Sequence, residues 1–144
     1  MRIIKLSSKD PDMRTEADVR EFFEDYLPHE ASPPGRFQLT RGRIAEDGLS
    51  IGEKLVFSYQ SKLVYLGHAA SGVAPNTEPD NGECPSFFLV DAQRIYRARG
   101  TLHDFEDALR EKGLLQKNIV KSQGWPRLED SPELDKIWQS FRAV

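Results

Sequence analysis

The sequence has one cysteine, Cys84, among 144 residues. No disulfide can form within the chain, which suits a reducing compartment, and a cytoplasmic protein is expected. Long apolar runs are missing too. The longest, Phe87-Phe88-Leu89-Val90, falls far short of the roughly 20 residues a membrane helix needs, so no membrane association is expected. Met1-Arg2-Ile3-Ile4-Lys5-Leu6 begins basic and apolar, but Ser7-Ser8-Lys9-Asp10 interrupts it before a secretory core could form. It reads as a first β-strand.

Recognisable catalytic patterns are equally scarce. His29, His68, His103 and Cys84 fall in different elements without ligand-like spacing, so no metal and no other cofactor is expected. Gly48-Leu49-Ser50-Ile51-Gly52 lacks the lysine and the following helix of a phosphate loop. Cys84 lies in a proline-bearing loop with no base beside it, the setting of an inert thiol. Glu16, Asp18, Glu21, Glu24 and Asp25 read as the solvated face of a helix. These absences favour a binding module over an enzyme.

An excess of positive charge is also lacking. Lys and Arg total 20 against 23 Asp and Glu, a net charge of −3. That argues against binding that rests mainly on phosphate neutralisation. Local basic faces remain open: Arg36, Arg41 and Arg43 cluster before the central hairpin, and Arg94, Arg97 and Arg99 after it. Arg41, Arg43, Arg97 and Arg99 are either solvated strand positions or contacts to a nucleic-acid backbone.

What is present describes one globular domain spanning 1–144, with 38% hydrophobic and 30% charged residues. Thr15-Glu16-Ala17-Asp18 has the form of a capping box, and Val19, Phe22, Phe23 and Tyr26 recur at helical spacing, predicting a helix over 15–27. Three prolines over 28–35 end it. A strand is predicted over 37–45. Leu55, Phe57 and Tyr59 then share one strand face, with Lys54, Val56, Ser58 and Gln60 on the other. Gln60-Ser61-Lys62 reads as the turn into a returning strand over 63–70, where Gly67 suggests a bulge or a close approach. The polar segment 71–85 is a long loop, 87–90 and 95–98 form one bent strand or two short ones, and Thr101 and Ser131-Pro132 start two further helices. The expected class is α+β, with a mostly antiparallel sheet.

Two stretches go further. Leu49-Ser50-Ile51-Gly52-Glu53-Lys54-Leu55-Val56-Phe57-Ser58-Tyr59-Gln60-Ser61, followed by Leu63-Val64-Tyr65-Leu66-Gly67-His68-Ala69, resembles the signature of EVE domains in the PUA-like superfamily. Lys121-Ser122-Gln123-Gly124-Trp125-Pro126-Arg127-Leu128, leading into the last helix, looks like the closing segment of that family. The resemblance implies a curved, mostly antiparallel β-barrel of five or six strands, closed or nearly so, with about three helices around it. It implies a DNA or RNA partner, with a modified or flipped base held in an aromatic pocket, and a separate nuclease or other protein partner, since relatives are often joined to a nuclease. A flat base needs ring faces to stack on and polar groups at its edge. Tyr59, Tyr65 and Trp125 are the candidate faces; Ser58, Ser61 and Gln123 are the candidate edge contacts. Gln60 stands where the family has a histidine, and segment 71–85 is longer and more acidic than is expected of a loop that faces nucleic acid. Two alternatives stay open: a hydrolase of the related ASCH type acting on RNA or a modified nucleoside, with Lys54 and Tyr59 as first suspects, and a protein-interaction domain.

Overall fold

Reciprocal hydrogen bonds between Thr15 and Asp18 (3.2 and 3.1 Å) open α1, Glu16–Glu21. In this computed structural model, which describes residues 1–40, 43–45, 47–77 and 84–144, α1 runs on into a π-helical segment, Phe22–Glu30. Pro28 has no N–H to donate there, and the wider turn closes with the Ala31 N–H on the Tyr26 carbonyl, 2.8 Å away. The Thr101–Asp104 box opens α2, Leu102–Glu111. Ser131 caps α3, Pro132–Ser140, with the proline in the first turn, where its missing N–H costs nothing.

The strands form two sheets. The first has the order β1 (Arg2–Leu6), β3 (Lys54–Tyr59), β4 (Lys62–His68), β7 (Tyr96–Arg97); the second has β2 (Arg36–Leu39), β6 (Ser86–Leu89), β5 (Ala74–Pro75). Only β1–β3 is parallel among these pairs. β3 and β4 join through Gln60 and Ser61, both with positive φ (50° and 66°), a left-handed pair that matches the twist of a two-residue hairpin. The stretches 87–90 and 95–98 contribute to separate strands, β6 and β7, one in each sheet.

The expected barrel of five or six strands is not what forms. Among the described residues seven strands divide between the sheets, which are joined through their backbones at a corner, where Ala69 bridges Val90 and the Ala70 N–H reaches the Leu89 carbonyl at 2.7 Å. The outer edge of β1 is covered by segment 126–128 instead of by another strand, and β7 is two residues long. Each prevents closure. Helices supply the missing walls. One face of the first sheet (Ile4, Leu55, Phe57, Tyr59, Tyr65) packs on Val19, Phe23 and Leu27 and on Phe37, Leu39 and Phe88 of the second sheet. The other face (Ile3, Val56, Leu63, Leu66) packs on Leu102, Phe105 and Leu109 of α2 and on Leu134, Ile137 and Trp138 of α3. No helix among the described residues is long and apolar enough to cross a membrane.

The close backbone approach expected at Gly67 occurs elsewhere. A Cβ at Gly67 would sit 3.5 Å from Val90, an ordinary contact, and the bulge lies one turn away, at the register shift between Phe57 and Ser58 that leaves Val64 unmatched. Gly35 is the position where glycine is required: its φ is +87°, and a Cβ would stand 2.0 Å from the Val90 carbonyl oxygen. Gly113 also has positive φ (69°) but has nothing within 4 Å of a built Cβ. Gly113→Ala should therefore cost about 1 kcal/mol, the left-handed penalty alone. Gly35→Ala should cost about 3 kcal/mol or more, because the corner between the sheets must shift. Urea melts of both variants check this, and equal losses would remove the special role of Gly35.

Candidate nucleic-acid interface

The strand register gathers several of the expected residues at one end of the first sheet. Leu6 pairs with Tyr59, and Tyr59 with Lys62, so the ends of β1 and β3 and the start of β4 lie in one row. Tyr59 is 1% exposed, and its hydroxyl donates to the Met13 carbonyl at 2.8 Å. It presents no ring face to solvent. Ser58 is buried too. Tyr65, 4% exposed, stacks on Phe23 (centroids 4.6 Å apart, planes 15° from parallel), and its hydroxyl donates to Glu24. Burial, with Glu24 beside it, pushes the Tyr65 phenol well above its ordinary pKa. Ser61 lies exposed at the hairpin turn and Gln123 exposed in the loop before Trp125.

Beside Tyr65, between α1 and the β4–β7 edge, runs a cleft of about 270 Å³. Glu16, Val19 and Arg20 form one wall; Lys62, Val64, Tyr65, Arg97 and Arg99 are on the other. The Val64 bulge re-aims the chain at this point. Four cations thus line the cleft with Glu16, and Glu24 contacts three of its lining residues, Arg97, Tyr65 and Arg20. Glu24 takes Arg97 as a fork, with Nη2 to Oε1 at 2.6 Å and Nε to Oε2 at 3.1 Å, and lies 3.9 Å from Arg20. The Arg97 hydrogen bonds hold the Glu24 carboxyl below its ordinary pKa. Lys62 meets Glu16 at 2.8 Å, and Arg99 donates to the Ser140 carbonyl. Arg20, Lys62 and Glu24 were not singled out from the sequence for this cleft. The helical spacing of Arg20 and Glu24 reads as solvation and Lys62 reads as part of the hairpin turn; only the fold brings that helical face over the β4–β7 edge.

Trp125 occupies the other edge of the same sheet face. It is half-buried against the cluster that contains Tyr59 and Met13. Its indole N–H donates to the Lys5 carbonyl at 3.1 Å, Arg2 grips its carbonyl at 2.7 Å, and the Arg43 guanidinium lies 5.7 Å from the ring centroid. Arg41 lies outside the described residues. The loop leading to Trp125 is tied down by charges that sequence reasoning missed. The Lys5 ammonium donates to the carbonyls of Ile119 (2.5 Å) and Ser122, while Glu106 accepts from the N–H groups of Ile119 (2.9 Å) and Val120 (3.3 Å). Burial lowers the Lys5 pKa, and the two N–H groups, Ile119 foremost, lower that of Glu106. The available signal was a carboxylate on the apolar stripe of α2, next to Phe105 and in line with Leu102 and Leu109.

A larger cleft, about 660 Å³, lies at the opposite end of the sheet and contains none of the expected residues. Its buried Glu53 is matched by Arg127 (3.5 Å) and the Met1 amine (3.8 Å). Lys54 and Tyr59, the pair suspected of hydrolysis, are at opposite ends of β3. Lys54 pairs with Asp135 at 3.3 Å, and the Tyr59 hydroxyl is taken by Met13. Among the described residues no three His, Cys, Asp or Glu converge as metal ligands.

No protein-family model matches the chain, and no curated protein matches it. Among solved structures it is similar to the YTH domain of the Zygosaccharomyces rouxii MRB1 protein, determined in complex with N6-methyladenosine RNA. The likeness covers 99% of this chain and 86% of that one, with a TM-score of 0.56 and 16% identity. The chain is therefore a small α+β domain with a YTH-like fold. At that identity the likeness concerns the fold.

The Lys5–Glu106 clamp predicts a pH effect. Glu106 titrates below its ordinary value of about 4.5 when folded, so its stabilisation is complete above that value and is lost as pH falls through the folded-state pKa. Glu106→Gln should lower stability at neutral pH and flatten the acid side of the curve of melting temperature against pH. Parallel curves for the two proteins would show that the carboxylate does not hold the loop.

Proposed function

We propose that this protein binds nucleic acid, an RNA strand in the first instance, across the hairpin end of its first sheet. The observation that carries the reading is the cleft containing Arg20, Lys62, Arg97 and Arg99, a concentration of cations in a chain whose net charge is −3. Condensed charge of this kind binds phosphates by releasing their counterions. Two supports come from outside the cleft. The fold is similar to that of a YTH domain solved in complex with methylated RNA. The hairpin and the closing segment also resemble EVE domains of the PUA-like superfamily, a finer assignment that we propose alongside.

The roles follow from the geometry. Arg97, Arg99, Lys62 and Arg20 hold the backbone. Trp125 offers the ring that receives one base, since Tyr59 and Tyr65 are built into the core. Arg43 stands over that ring and contacts either the base or its phosphate. Ser61 and Gln123, exposed near this end, supply edge contacts; Ser58, Tyr59 and Tyr65 support the site from within. β1 and β4 lie two strand spacings apart, about 10 Å, so a chain of a few nucleotides spans from the cleft to Trp125. A modified base is the favoured ligand. A methyl group adds apolar area that a half-buried ring can cover. A reducing, cytoplasmic setting and a separate protein partner, such as a nuclease, complete the proposal.

Fluorescence anisotropy with labelled single strands at low salt tests the reading. RNA with and without N6-methyladenosine and the matching DNA should be compared. Binding should weaken as salt rises, with a slope of about −0.7 per phosphate contacted, and Arg97→Gln with Arg99→Gln should flatten it by about 1.4. An absence of binding by every strand at low salt would overturn the proposal.

Trp125 is tested separately, because its ring also packs on the core. Trp125→Phe keeps a ring without the N–H; it should retain most affinity while losing about 1 kcal/mol of stability with the Lys5 hydrogen bond. Trp125→Ala should lose roughly 1–3 kcal/mol of binding as well. If the folded fraction of Trp125→Ala binds as the wild type does, the stacked base lies elsewhere.

A further inference from the structure

Resting on the nucleic-acid reading, we propose that Glu24 is a built-in phosphate surrogate that occupies the first backbone seat of the cleft and must be displaced when a strand binds. Glu24 makes the contacts a phosphate group would make there. Arg97 gives it two parallel N–H donors at 2.6 and 3.1 Å, the fork geometry that suits carboxylate and phosphate alike. The Tyr65 hydroxyl adds a third hydrogen bond, and Arg20 stands 3.9 Å away. The Tyr65 donor and the backbone that carries Arg97 are held in place without Glu24. Tyr65 is locked by its stacking on Phe23, and the Arg97 backbone is paired to Tyr65 across β4 and β7.

The carboxylate is within reach of solvent: its side chain, on the π-helical segment, is one-third exposed. A turn about its own χ angles would move it into solvent. The consequence is a threshold. A free phosphate or a mononucleotide offers one group and would exchange one anion for another, with little gain. A strand that also engages Arg99, Lys62 and Trp125 gains the further contacts that displacement requires. Glu24 therefore sets the class of ligand: a polynucleotide rather than a small phosphate.

Binding of the same labelled RNA to Glu24→Gln tests this, together with Tyr65→Phe, which keeps the core ring but loosens the hold on Glu24. Glu24→Gln should bind about 5- to 10-fold more tightly at low salt, with a salt slope steeper by about 0.7, one more phosphate seat. Tyr65→Phe also removes one donor from the seat, so it should gain clearly less than Glu24→Gln. In thermal melts, millimolar inorganic phosphate should raise the melting temperature of Glu24→Gln and leave the wild type nearly unchanged. Folded Glu24→Gln and Tyr65→Phe proteins that bind RNA no more tightly than wild type would overturn the surrogate while leaving the nucleic-acid reading in place. Failure of all three proteins to bind any strand would overturn that reading, and the phosphate melts would then decide the anion seat by themselves.

Discussion

Strand β3 is buried on both faces, and the rest of the molecule is arranged around that constraint. From Leu55 to Tyr59 every side chain is inside. A strand wet on one face needs one packing layer; this one needs two. Leu55, Phe57 and Tyr59 demand the layer built from α1, its π-helical continuation and the second sheet, and Val56 demands the layer of α2 and α3. Once both faces are covered, a ligand can approach only at the ends and edges of the sheet. That is where both clefts lie.

The edges are managed differently, and the difference places the chemistry. The outer edge of β1 would expose a row of unpaired N–H and carbonyl groups. Segment 126–128 covers it: Ile3 donates to the Pro126 carbonyl and Leu128 donates to the Met1 carbonyl. The same covering fixes Trp125 at the far end of β1, with its N–H on Lys5 and its carbonyl on Arg2. On the other side, β7 is two residues long and the start of β4 pairs instead with the segment that follows it, Leu63 donating to the Gly100 carbonyl and Ala98 to that of Val64; the cleft between this edge and α1 is lined by Lys62, Arg97 and Arg99. A ring held at one edge and cations at the other are thus by-products of one packing problem.

Local signals were legible in the sequence because their physics is local. Both capping boxes, the Ser131 cap with Pro132 behind it, and the hairpin turn depend on residues three or four apart, and each is found where the pattern put it. The closure of the sheet depends instead on long-range choices. A parallel β1, an edge covered by a chain segment and a sheet break at Ala69–Val90 leave no periodic trace. Val56 illustrates the limit. Alternation assigned it to the same face as Lys54 and Gln60, a polar pattern, yet that face is covered by α2 and α3. For the site, the sequence marked Tyr65, Arg97, Arg99 and Trp125 but could not say which rings were already occupied, since that depends on Met13, Phe23 and Glu24 arriving from a distant helix and loop.

The distribution of charge explains how an acidic chain can present a basic surface. Five of its carboxylates serve structure: Asp18 and Asp104 on N-caps, Glu106 on the loop before Trp125, Glu53 beside the Met1 amine, Asp135 on Lys54. An acid that holds backbone N–H groups or a buried cation adds little to the field outside the protein. Lys62, Arg97 and Arg99 are exposed and gathered on one wall of the hairpin-end cleft, with Arg20 on the other, and Glu16 and Glu24 are the acids that pair with them. Net charge therefore says little about what such a domain attracts. The potential at the hairpin end depends on how firmly those two carboxylates stay with Lys62 and Arg97. Glu16 has one partner, in full solvent, where an ion pair is worth little. Glu24 has three, the core-held Tyr65, Arg97 on a short strand and Arg20 on α1, so it is the residue on which the sign of the surface turns.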